Sequence, residues 1–157
     1  MPSFELVGLP FEPFASLFSL RDSELRKFNA RRVVAAANPG FPCRVSLADA
    51  EVGEELLLLP YAHQPAESPY KSSGPIYVRK LARQRAAGRN VIPDYVRIRV
   101  MSVRAYDAAH GMTDASVCDG ADCASVIRRM FEDDAVEYIH LHNAARGCFS
   151  CAAKRVP

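Results

Sequence analysis

A chain of 157 residues, 49% apolar and 24% charged, has the composition of a globular domain and excludes intrinsic disorder. Its formal net charge of +2 leaves no electrostatic footprint for nucleic acid or an acidic membrane as the main partner. No apolar run approaches the roughly eighteen residues of a membrane span, and the start Met1-Pro2-Ser3-Phe4-Glu5 does not read as a secretory signal, so a cytoplasmic protein is expected.

Residues 4–9 alternate as a short first strand that ends at Pro10. Two helical segments follow: 14–20, with Phe14, Leu17 and Phe18 apolar, and 22–28, capped by Asp22 or Ser23 with Glu24 near its positive end. Residues 32–36 read as extended, and Pro39-Gly40-Phe41-Pro42 as a rigid turn. Residues 43–47 then alternate, with Cys43, Val45 and Leu47 toward the core and Arg44 and Ser46 away from it. The run from Leu56 to Tyr61 is apolar on both faces, which predicts a covered central strand whose odd face continues Leu57, Leu59, Tyr61, His63.

Residues 64–75 have a loop composition rich in Pro and Ser, and Ile76-Tyr77-Val78-Arg79 returns to alternation with Tyr77 and Arg79 on the polar side. A basic segment at 80–90 reads as a surface loop or short helix. Residues 95–103 predict a clean strand, with Val96, Ile98 and Val100 on one face and Arg97 and Arg99 on the other. An edge strand at 111–119 comes next, then a helix at 122–133 with Val126, Ile127, Met130 and Phe131 as its stripe. Strands at 136–144 and 149–156 close the chain. The pattern predicts an α+β fold: a single domain over 1–157 with one mostly antiparallel, strongly curved sheet of about seven strands and about three helices.

Six strings stand together in order: Gly40-Phe41-Pro42-Cys43-Arg44, the stretch from Gly53 to Tyr61, Ser68-Pro69-Tyr70, the stretch from Ser73 to Arg79, Arg104-Ala105-Tyr106-Asp107, and Tyr138-Ile139-His140-Leu141-His142-Asn143. Their combination resembles a bacterial family of small proteins described as a domain of unknown function, number 1203. The resemblance spans about 4–156 and implies one domain and a bacterial source. It implies no activity, cofactor or catalytic residue. The basic segment at 80–89 and Cys151 depart from the family pattern.

The strand at 136–144 carries the most informative chemistry. Ile139 and Leu141 suffice to hold one face in a core, so Tyr138, His140 and His142 opposite them read as the wall of a polar site. The expectation is a pocket for a small anionic ligand, in which Arg44, Tyr77, Arg79, Asn143 and Arg146 bind and His140 or His142 orients or transfers a proton. Whether that makes an enzyme stays open. One alternative is a metal site: His140 and His142 lie two apart on a strand, and His63 is a third ligand if its strand lies adjacent, a set suited to zinc and to hydrolytic or hydration chemistry. Another is a non-catalytic homo-oligomer whose interface covers the histidine face, an exposed edge such as 111–119 offering a way to pair. Five cysteines, Cys43, Cys118, Cys123, Cys148 and Cys151, are an odd number and read as free thiols, with Cys43 a packing residue and Cys148 and Cys151 on opposite faces.

Overall fold

Ten strands form in the computed structural model, which describes residues 1–157. In chain order they are β1 (Ser3–Val7), β2 (Arg31–Val34), β3 (Pro42–Cys43), β4 (Ala48–Asp49), β5 (Glu55–Gln64), β6 (Ser72–Arg79), β7 (Val100–Asp107), β8 (Met112–Asp119), β9 (Val136–Asn143) and β10 (Phe149–Val156). Four α-helices accompany them: α1 (Glu12–Ala15), α2 (Asp22–Leu25), α3 (Asp94–Arg97) and α4 (Cys123–Met130). The α+β class therefore holds, but the expected single sheet of about seven strands is replaced by two sheets of five, ordered β1-β10-β9-β7-β8 and β2-β5-β6-β3-β4. All neighbours are antiparallel except β3 and β6. Alternation reveals that a segment is a strand, whereas its partner is chosen by which edge is left unpaired once the chain collapses.

Two expected strands are corrected. Residues 95–103 do not form one strand: Pro93 takes an extended conformation just ahead of α3, Asp94 sits in its first turn, and β7 begins only at Val100. Val96 is buried, whereas Ile98 is 57% and Val100 49% exposed, so their shared spacing marks no common face. Residues 43–47 pleat only at Pro42–Cys43, after which a turn carries Leu47 to φ 52° with its N–H bonded to the Cys43 carbonyl at 3.0 Å. Cys43, Val45 and Leu47 are buried as expected, but Arg44 is only 1% exposed and points inward rather than away, because a turn does not alternate.

The first sheet buries Ile139 and Leu141 of β9 with Met101, Val103 and Ala105 of β7 under Ile127 and Met130 of α4 and the adjoining Phe131. Slipping β9 by one residue would force His140 and His142 into that apolar layer, so burial pins the register His140↔Arg104 and His142↔Ser102. In the second sheet, Leu57 and Leu59 pack against Phe14 and Phe18 from the N-terminal helical turns. Farther along β5 the same odd face reaches the first sheet, with the Tyr61 and His63 rings 5.9 and 5.7 Å from Phe149 of β10. The expected polar face of β9 is thus roofed by the second sheet. The expected edge strand is β8, at the end of the first sheet.

Candidate metal centre and a neighbouring cavity

His63 on β5 and His140 and His142 on β9 meet where the two sheets face each other. One ring nitrogen from each lies within 4.8 Å of the other two. Around a tetrahedral zinc ion with bonds of 2.0–2.1 Å such nitrogens stand about 3.4 Å apart, so small side-chain rotations complete the set. Phe149 holds the rings in place: it stacks on His63 at 5.7 Å and 6° and meets His140 and His142 edge-on at 5.1 and 5.8 Å. Tyr106 and Tyr138 flank His140 at 5.1 and 5.2 Å.

The polar atoms of this cluster are not satisfied by the protein. Nδ1 of His63, Nδ1 of His140 and Nε2 of His142 are buried without a hydrogen-bond partner, an arrangement that costs about 1–3 kcal/mol per group unless something occupies it. His142 lies 2.9 Å through Nδ1 from the Gly147 carbonyl oxygen. A carbonyl only accepts, so Nδ1 carries the proton and Nε2 keeps its lone pair, the orientation found in histidine ligands.

Charge follows the same logic. Burial pushes His140 down to about 3, helped by His142, His63 and Arg104. Burial also lowers His142 to about 4 against the opposing Gly147 hydrogen bond, with Arg104, His63 and Arg44 adding to the depression. His63 is lowered by burial and then by Arg104. All three rings are neutral near pH 7, the form that binds a metal.

Arg104 was not singled out as a site residue by sequence, although it alternates in phase with Ser102. It sits opposite His140 in register, donates from Nε to Ser102 Oγ at 3.1 Å, and has no carboxylate partner. Gln64 was also missed; its Nε2 donates to Tyr138 Oη at 2.7 Å. The fourth histidine, His110, contacts that hydroxyl through Nδ1 at 2.8 Å and lies outside the cluster.

The other expected site residues collect elsewhere. Arg44, Tyr77, Asn143 and Arg146 line a cavity of about 500 Å³ together with Arg99 and Cys148, and none of the histidines lines it. Arg79 is not in this cavity: it is held by Glu54, Nη2 to Oε1 at 2.6 Å, and by Ser46. Arg99 is neutralised by Asp49, its Nη2 at 2.6 Å from Oδ1. Arg44 has no such partner; its N–H groups reach the Phe149 carbonyl at 2.7 Å, Cys148 Sγ at 3.1 Å and the Pro42 carbonyl. Arg146 is exposed and unpaired, and Asn143 Oδ1 is buried without a donor. Two guanidinium charges therefore face the cavity uncompensated. A larger recess of about 690 Å³ is lined by Arg85, Arg97, Asp49 and Asp94, which balance one another in charge.

The five cysteines are free thiols, with Cys118 and Cys123 sulfurs 3.7 Å apart and Cys43, Cys123 and Cys151 buried. No helix is long and apolar enough to cross a membrane. No curated protein and no solved structure matches the chain. A family model does match, over residues 40–155, a span that contains both the histidine cluster and the cavity, and its description is "Protein of unknown function (DUF1203)". The chain belongs to the DUF1203 family.

Proposed function

We propose that the protein binds one transition-metal ion at His63, His140 and His142, and that this centre serves hydrolytic or hydration chemistry on a small anion. The observation that carries the reading is the set of three buried, partnerless imidazole nitrogens on facing strands. An all-nitrogen donor set without a carboxylate favours zinc over magnesium or calcium. Three protein ligands leave a fourth position, and zinc so held supplies Lewis-acid activation of a water or carbonyl oxygen. The chain's own contribution is orientation and charge: Gly147 fixes the His142 tautomer, Phe149 braces the rings, and Arg104 supplies a positive charge for an anionic substrate group.

The test is reconstitution of untagged protein with zinc, exhaustive dialysis and elemental analysis. About one zinc per chain is expected in the wild type, with loss in His63→Ala and His142→Ala. Folded wild type that retains no stoichiometric metal overturns the reading.

A second reading is favoured by the buried Arg44 guanidinium, which no carboxylate neutralises. It makes the cavity of Arg44, Tyr77, Asn143 and Arg146 a binding site for a small anionic metabolite. Citrate and phosphate are expected to raise the thermal midpoint of the wild type and to act more weakly on Arg146→Ala. Equal responses from the two proteins remove it.

A further inference from the structure

We propose that Cys148 is a nucleophilic thiol that reacts with small carboxylate-bearing electrophiles entering the cavity between Arg44 and Arg146. The inference rests on the anion-cavity reading and adds to it a reactive atom and a ligand class.

Cys148 stands apart from the other cysteines. Cys43, Cys123 and Cys151 are sealed in cores and Cys118 lies against Cys123, whereas Cys148 is half-buried and lines a cavity of about 500 Å³. Two donors converge on its sulfur: Arg44 Nη2 at 3.1 Å and Asn143 Nδ2 at 3.6 Å. Arg44 is held rigidly by backbone carbonyls on Nε and Nη1, so its aim at the sulfur is preset rather than acquired on binding. Three of its five N–H groups are used in this way, and its charge, which no carboxylate offsets, lies in the cavity wall beside the sulfur. Arg146, exposed in the lining, adds a second charge that concentrates anions near the sulfur.

The reaction balances without a further reagent. Cys148 releases its proton to solvent, the sulfur forms a bond to the electrophilic carbon, and the bond from that carbon to its leaving group breaks with the electron pair going to the leaving group. Donors on the sulfur and the uncompensated guanidinium charge beside it bring the thiol and a carboxylate-bearing electrophile together.

Matched alkylating reagents test this. Iodoacetate and iodoacetamide differ in charge, and both transfer a two-carbon unit to sulfur with loss of iodide. The full chain is treated with each, and the modified cysteine is mapped by peptide mass spectrometry, with Cys148→Ser as the control. Cys148 is expected to react first, with an iodoacetate-to-iodoacetamide rate ratio roughly tenfold above that of glutathione. Arg146→Ala, an exposed position whose loss does not threaten the fold, is expected to cut that ratio several-fold, and citrate is expected to protect Cys148.

A ratio equal to that of glutathione, or one unchanged in Arg146→Ala, overturns the proposal. Citrate stabilisation that depends on Arg146 while Cys148 shows no charge preference removes the thiol and leaves the cavity reading standing. Failure of both removes the two together.

Discussion

Acidifying the metal-free protein from pH 6.5 to 4.5 is expected to cost it about 5 kcal/mol through two histidines alone. In the folded chain His140 and His142 stay neutral down to about 3 and about 4, against an ordinary value of 6.5. Between those limits the unfolded state binds protons that the folded state refuses, so stability is complete above 6.5 and falls as the pH drops toward 4. An unfolded ring is already half-protonated at pH 6.5, so two pH units at 1.36 kcal/mol per unit amount to about 2.3 kcal/mol for each ring. The two rings, 6.4 Å apart, together contribute about 5 kcal/mol. Urea unfolding of EDTA-treated protein at pH 6.5, 5.5 and 4.5 measures it, in the wild type and in His140→Asn and His142→Asn. Each variant is expected to lose about 2 kcal/mol less than the wild type over this range. Parallel pH dependences in all three proteins would refute the reasoning, because the rings would then be accepting protons inside the fold.

Zinc at about one hundred times its dissociation constant is expected to stabilise the wild type by about 3 kcal/mol and raise its thermal midpoint by about 5–10 °C, reversibly with EDTA, while His63→Ala does not respond. Asp49→Asn leaves the Arg99 guanidinium partly buried beside a neutral amide, and is expected to cost about 3 kcal/mol in urea unfolding with zinc content unchanged. Gly120→Ala would set a Cβ 1.9 Å from the Val96 carbonyl oxygen and 2.7 Å from that of Arg99, backbone atoms that cannot move aside cheaply; a loss of about 3 kcal/mol is expected from the same assay.

The sequence by itself determined most strands and the face shown by His63, His140 and His142. Ile139 and Leu141 alternate with Tyr138, His140 and His142, and a period of two leaves only one way to bury the apolar pair. The odd face of β5 was legible for the same reason, down to His63. Where the chain turns, this logic lapses. Arg44 follows a two-residue strand and enters a turn, so its inward direction is set by the Phe149 and Pro42 carbonyls it meets, more than a hundred residues away in the first case. Pro93 and Asp94 likewise start a helix inside a stretch whose spacing mimics a strand.

Only the tertiary structure decided that His63 faces His140 and His142, because sheet partners are chosen by long-range collapse and carry no local signal. It also parted the histidines from Arg44, Tyr77, Asn143 and Arg146: adjacent residues His142 and Asn143 diverge at the end of β9, one ring turning between the sheets and one amide turning to the cavity. Side-chain type and spacing state what chemistry a residue can offer. Which groups share it is settled by the packing of two sheets whose facing surfaces no single segment encodes.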